Sequence, residues 1–285
     1  RMLYRQGRLH SVFTNATLLN EGHMRLCRES PPRDLEVTVY GVTPATYEAV
    51  SRRAGSFAAF RRGLDRLRRH RFQFRLKAMI MRSNVHEWNE IATFGRRQSK
   101  DFFRFDPLLH LRFDGDARRN AEIIAERLTP EEIAALDHAD PERTSALRKD
   151  CGRYIFAGKG HVRCRHLFHC GAGVSGFTIS PEGLFRLCSS LWHPDCIFDL
   201  TRGTLKEAWR RFVPRVRAMT SDSPEFLRTC RPCRIINLCL WCPAHAHLET
   251  GQLDAQCDYF CEVAHARASG LRALPKGRKA SKPRA

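Results

Sequence analysis

Twelve cysteines are placed so unevenly that they constrain this chain more than any other feature. Only Cys27 and Cys151 precede residue 160, and the other ten fall between Cys164 and Cys261. Apolar patterns in that stretch are short, so a fold there needs cross-links or bound metal. No apolar run reaches the roughly 18 residues of a membrane span, and no signal peptide opens the sequence. The expectation is a cytoplasmic chain with no membrane partner. In such a reducing setting clustered thiols bind metal more often than they form disulfides.

Spacing narrows the metal chemistry. Cys164 is followed by Cys170 after five residues, then by Gly183 and Cys188; Cys230-x2-Cys233-x5-Cys239-x2-Cys242-Pro243 comes next, and Cys261 last. Thiolates are soft ligands that suit zinc or iron-sulfur clusters. A two-residue spacer lets one tight turn aim both sulfurs at one centre. The paired knuckles of a zinc ribbon sit about 15–20 residues apart. Here the two pairs are five residues apart, which fits that plan poorly and leaves other zinc folds open. The proline after Cys242 matches the Cys-Pro ending of bacterial ferredoxin motifs.

The first half reads as alternating strands and helices. Ser11-Val-Phe leads to Thr14-Asn15. Leu35 to Tyr40 alternates and is β-branched, and Thr43-Pro44 opens a helix. Helices follow at about 56–70 and 85–97, with strands at 72–81 and 102–111. This repetition predicts a parallel α/β sheet or barrel. Thr129-Pro130-Glu131-Glu132 is a capping box, so a helix runs to about His138; the polar stretch 140–160 reads as a junction. Beyond it, Phe177–Ser180 and Leu184–Cys188 flank Pro181-Glu182-Gly183 as a tight hairpin, and 204–219 reads as a helix broken at Pro214.

Charge adds less than its size suggests. Lys and Arg total 49 against 30 Asp and Glu, a net charge of +19, and only eight of the 49 are Lys. The densest cluster, Arg61 to Arg71, is interleaved with Phe57, Phe60, Leu64 and Leu67 at helical spacing, so it is the solvated face of an amphipathic helix. The tail from Lys276 to Arg284 reads as disordered. No recognisable nucleic-acid motif accompanies the charge.

Taken together, the Cys170–Gly183–Cys188 hairpin, the Cys230-x2-Cys233-x5-Cys239 segment, the Cys242-Pro243-Ala244 step and the late Cys261 resemble the SPASM domain. That is the auxiliary iron-sulfur domain of radical S-adenosylmethionine (SAM) enzymes. Upstream, Thr14-Asn15, Val37–Gly41 with Thr46-Tyr47, Gly55-Ser56-Phe57, Leu76-Lys77 and Asn84-x2-Glu87 resemble the later part of the radical SAM barrel. The resemblance covers roughly residues 8–270. It implies an α/β fold, with a partial (β/α) barrel of about four strands followed by a small cysteine-rich domain of a hairpin and helices. The divisions expected are 1–125 barrel, 126–160 connector, 161–270 SPASM domain and 271–285 tail.

The resemblance further implies two 4Fe-4S clusters, one on Cys164, Cys170, Cys188 and Cys242, the other on Cys230, Cys233, Cys239 and Cys261. Cys257, four residues before Cys261, competes for the last place. Thr38 and Lys77 are the surviving candidates for contact with SAM. An intact family member carries a third 4Fe-4S cluster that cleaves SAM to a 5′-deoxyadenosyl radical, commonly to modify a peptide or protein. That cluster needs a Cys-x3-Cys-x2-Cys loop, and no cysteine here has partners at both +4 and +7. The expectation is therefore a chain lacking the opening strands of the barrel and inactive by itself. Its partners would be a peptide or protein substrate, an electron donor protein and, on a less favoured reading, a chain supplying the missing barrel half. An opened barrel would also expose a sheet edge near Leu9–Thr14 and an apolar interior, giving poor solubility. Two rivals stand beside this reading: a zinc-stabilised module binding nucleic acid or protein, and a non-catalytic electron-transfer partner.

Overall fold

Alternation in Asp34-Leu-Glu-Val-Thr-Val39 sets the pattern of the first half: Leu35, Val37 and Val39 point one way and are buried. In the computed structural model, which describes residues 2–155, 165–239 and 241–273, the chain divides into two units. One comprises residues 1–109 and 122–128, the other 110–121 and everything from Thr129 onward.

The first unit holds α1 (Met2–Arg5), β1 (Ser11–Thr14), α2 (Glu21–Glu29), β2 (Asp34–Val39), α3 (Pro44–Ser51), α4 (Ser56–Arg69), β3 (Arg75–Met79), α5 (Trp88–Gln98) and β4 (Arg104–Asp106). The strands form one parallel sheet in the order β1-β2-β3-β4. Strands paired in parallel need crossover helices, and the α helices between them supply these. One sheet face, with Val37 opposite Leu76 and Ala78 opposite Phe105, is buried. Phe60, Leu64 and Leu67 of α4 and Ile91 of α5 are buried too, each worth about 1.5–3 kcal/mol. α4 comes so close to the end of β1 that a Cβ on Gly63 would run into the Ala16 carbonyl oxygen.

The opposite face corrects one expectation. It is charged, not apolar. In register across β1, β2 and β3 stand Phe13, Glu36 and Arg75, and Thr38 pairs with Lys77. Glu36 is buried, with Arg104 Nη2 at 2.7 Å and Lys77 Nζ at 3.7 Å from its carboxylate. Arg75 bridges Asp34 and Asp101. Cross-strand pairs of opposite charge let this face carry charge without unpaired burial. Among the described residues β1 is an end strand of the sheet, and Leu9 and Phe13 are exposed.

α6 (Ala117–Ala125) is followed in the second unit by α7 (Pro130–Ala139) and α8 (Pro141–Ile155). Thr129 caps α7 as the capping box predicts. α8 covers 141–155 of the stretch 140–160 read as a polar junction, and 156–160 lie outside the described residues. Asp140 accepts the Arg143 amide at 3.0 Å, and Pro141 stands at the first helical position, repeating the start of α7. A three-stranded antiparallel sheet follows, β5 (Thr178–Ile179), β6 (Leu184–Arg186) and β7 (Phe198–Asp199), so the predicted hairpin gains a third strand. Gly183 turns it with φ of +86°, a conformation costly to any side chain.

The predicted helix at 204–219 runs unbroken through Pro214. α9 (Leu205–Glu207) passes into a π turn (Ala208–Phe212) and then α10 (Val213–Arg217). The wider turn absorbs the strain that a proline without an amide proton brings to a helix. A second π turn covers Phe226–Cys230, followed by α11 (Ile236–Cys239), α12 (Pro243–Thr250) and α13 (Asp258–Ala273). α13 packs against α7 and α11.

Candidate metal centres and the charged sheet face

Two small cores in the second unit hold the thiols. Phe185, Leu191, Phe212, Val216 and Phe226 build one, with Cys188 and Cys242 packed against it; Ile235, Leu238, Ala264 and Ala268 build the other, with Cys233 and Cys239. Local structure aims each sulfur. Cys230 ends a π turn, Cys239 ends α11, Cys242 caps α12 and Cys261 lies in the first turn of α13.

Cys230, Cys233, Cys239, Cys257 and Cys261 line one cavity of about 180 Å³, whose walls also hold Ile235, Ile236, Trp241 and Ala264 and the polar Thr229, Gln256 and His265. The predicted second set is thus brought together, with Cys257 beside it. Burial, then the neighbouring thiols Cys261, Cys257, Cys230 and Cys233, pushes Cys239 up to about 12. Burial raises Cys230 and Cys261 in the same direction. At neutral pH these thiols keep their protons, and binding a metal would release them.

The other predicted set is gathered in part. Burial pushes Cys242 up to about 11, and the charges of Cys188 and Cys170 add to that shift. Its sulfur accepts the His245 amide at 3.3 Å. Cys170 is exposed, and Arg217 donates to its carbonyl at 3.0 Å. Cys164 lies outside the described residues. Cys196 is buried and donates to Met219 Sδ at 3.8 Å, a packing role. His169 bonds the His166 carbonyl at 2.9 Å and meets Arg231.

These sites can be tested against the groups proposed for them. Among the described residues, no three His, Cys, Asp or Glu side chains converge on one point closely enough to hold a single ion. Zinc draws its sulfurs to about 2.3 Å of one centre. The five thiols around the cavity are soft donors. The donor set therefore fits a four-iron cluster at the second site.

Thr38 and Lys77 sit side by side on β2 and β3, on the charged face. Lys77 is engaged by Glu36 and lies 6.0 Å from the Phe13 ring centroid. The motif residues nearby act as clasps. Buried Asn84 donates to the carbonyls of Tyr40 and Met79 at 3.0 and 2.9 Å, tying the ends of β2 and β3. Glu87 accepts the Val42 amide at 2.7 Å and the Thr43 hydroxyl. Burial pushes the Glu87 carboxyl up, but the hydrogen bonds outweigh it and hold the group below its ordinary value.

Sequence reading missed four charged residues. Glu36 hides in an alternating strand. Asp137 and Arg267 form a buried pair at 2.7 Å, with Arg267 also donating to the Leu238 carbonyl beside Cys239. Arg186 is 2% exposed in β6. The one available signal for Arg186 was an Arg set within the apolar run Leu184-Phe-Arg-Leu187.

No family model matches this chain, and no curated protein sequence does. Solved structures do match in fold. The chain is similar to a histidine-tagged form of anSMEcpe with bound AdoMet over 94% of its own length and 71% of that chain, at 13% identity and a TM-score of 0.60. Native anSMEcpe with bound AdoMet and Kp18Cys peptide matches over 93% and 74%, at 13% identity and a TM-score of 0.59. SuiB of Streptococcus suis bound to S-adenosylmethionine matches over 91% and 60%, at 11% identity and a TM-score of 0.57. The chain is thus an α/β protein sharing its fold with structures that hold S-adenosylmethionine. No helix among the described residues is long and apolar enough to cross a membrane.

Proposed function

We propose that this chain is a radical SAM/SPASM-type protein that carries two auxiliary 4Fe-4S clusters and serves the modification of a peptide or protein. The observation that carries the reading is the gathering of Cys230, Cys233, Cys239 and Cys261, with Cys257, around one cavity. The shared fold with AdoMet-bound proteins, one of them crystallised with a peptide, supports it.

When bound, such clusters would supply one-electron transfer. The residues of this chain would do the rest. The eight cysteines Cys164, Cys170, Cys188, Cys242, Cys230, Cys233, Cys239 and Cys261 would hold the clusters as thiolates. Ile235, Ile236 and Trp241 would keep water from the second. On the sheet, Thr38 and Lys77 would meet the polar end of SAM, and Lys77 would have to exchange its partner Glu36 to do so.

No Cys-x3-Cys-x2-Cys loop occurs in these 285 residues, so this stretch by itself leaves SAM intact, and the loop would have to be supplied from outside it. An external electron donor protein and a reducing compartment such as the cytoplasm complete the picture.

The test is iron and sulfide content with an absorption spectrum, on protein made and handled without oxygen. About eight iron and eight sulfide, with a broad band near 400 nm, are expected. About two zinc with no iron would overturn the cluster reading in favour of a zinc-stabilised binding module. Formation of 5′-deoxyadenosine from SAM and reductant would sink the claim that the chain is inactive alone.

A further inference from the structure

Two arginines of the basic run in α4 do not end on an open helix face. Arg61 and Arg68, two turns apart and so on the same side of α4, line a groove of about 790 Å³ against α5. From α5, Asn89, Thr93 and Arg97 turn into the same groove at one-turn spacing, with Phe94 and Gln98 beside them. Val42, just after β2, closes one end, and Glu90 in the first turn of α5 is the one carboxylate of the lining. From Asn89 to Gln98 the helix rises about 14 Å, the span of about four extended residues.

Arg68 is held in place, with Nη1 donating to Asp65 at 2.7 Å and Nη2 to Gln98 at 2.5 Å. Arg61 lies over the Phe94 ring, its Cζ 5.9 Å from the centroid. Among the described residues neither Arg61 nor Arg97 pairs with a carboxylate, and both are exposed. The net charge of the chain selects no partner, because it is spread over the molecule. Three guanidiniums facing one hollow do select, since they concentrate anions there and each offers a planar fork that matches a carboxylate. Nucleic acid fits less well. Glu90 would repel a phosphate, and Phe94, the one aromatic side chain of the lining, is half-buried beneath Arg61 and offers no open face to a base.

We propose that the groove between α4 and α5 docks an extended acidic peptide segment, its carboxylates on Arg61, Arg68 and Arg97 and an apolar side chain against Val42 and Phe94. That the segment belongs to the peptide substrate rests on the reading above; the docking itself needs no bound cluster. Glu90 gives the segment a direction. Its acidic residues lie toward Arg68 and Arg97, where α4 and α5 end, and its apolar residue lies toward the start of α5.

The experiment is fluorescence anisotropy on the full chain, handled without oxygen, with a labelled synthetic peptide made of an apolar residue followed by glutamates. The same peptide with glutamines in their place, and a labelled oligouridylate of similar length, are the comparison probes. The glutamate peptide should bind, and the glutamine peptide should bind about tenfold more weakly or worse. Arg61→Glu with Arg97→Glu should weaken the glutamate peptide by about tenfold or more, and Arg61→Gln with Arg97→Gln by less but in the same direction. Arg62→Glu with Arg69→Glu changes the net charge equally on exposed side chains outside the groove, and should weaken it by under about twofold. Thermal melts accompany every variant, and if the charge-reversed groove pair melts lower than wild type, the glutamine pair decides. Equal losses from the groove pair and the outer pair overturn the proposal, since that marks net charge and not the groove. So does an oligouridylate that binds in preference to the glutamate peptide, or a glutamate peptide that does not bind. A chain that takes up no iron yet binds the peptide in the groove ends the cluster reading alone, whereas two normal clusters without peptide binding end this inference alone.

Discussion

Single residues in the second unit decide whether its helices can present their thiols. Asp137 is fully buried and receives Arg267 Nε at 2.7 Å and Arg143 Nε at 3.0 Å. Because Arg267 also holds the carbonyl of Leu238, this pair fixes α11 and with it Cys239. Removing one partner strands the other charge in the interior. Asp137→Ala is expected to cost about 3–5 kcal/mol in denaturant unfolding, and a loss under about 1 kcal/mol would contradict the pairing. Cys261 and Cys257 differ by one helical turn, the Cys261 amide bonding the Cys257 carbonyl at 2.9 Å. Cys261→Ala should lower bound iron by about half, while Cys257→Ala should leave it near the wild-type level. Equal losses would make Cys257 a ligand as well. Both residues were visible in the sequence, but their choice was not, because a one-turn spacing puts both thiols on the same side of the chain end.

At the scale of elements, two close approaches separate rigid from adaptable contacts. In α4 a Cβ on Gly63 would overlap a backbone oxygen, that of Ala16. In α13 a Cβ on Gly270 would overlap the His138 ring at Cε1. A backbone cannot swing aside, whereas an imidazole can rotate. Gly63→Ala should therefore lose about 1–3 kcal/mol despite its better helix propensity. Gly270→Ala should lose less, and its loss should vanish in a His138→Ala background. Thermal melts of the four variants check this, and a Gly270→Ala penalty that survives His138→Ala would refute it. Elements with strong local punctuation were legible: Thr43-Pro44 and Thr129-Pro130 start α3 and α7 where expected. α8 carries the same punctuation at Asp140-Pro141, but its apolar residues are too few to show a helical period in the sequence. α13 was obscured by its many alanines, whose burial depends on a partner helix and not on their own hydrophobicity.

For the whole molecule, the charge of +19 bears on solubility more than on a partner. Along the sheet the basic side chains are tied up with Asp34, Glu36 and Asp101. Phe13 is 67% exposed on β1, an end strand among the described residues. Edge strands invite pairing with another chain, and a charge blunts them. Phe13→Lys is expected to raise the monomer fraction in size-exclusion chromatography, and no change would show that association arises elsewhere. Sequence by itself determined most of the strand-helix order, the parallel sheet and which cysteines cluster, because periods, caps and spacers are local properties of the chain. Tertiary structure alone decided that the open sheet face is charged, that five thiols share one cavity, and that Arg186 and Asp137 are buried. Each of these depends on what stands opposite a residue, and partners distant in the chain carry no local signature.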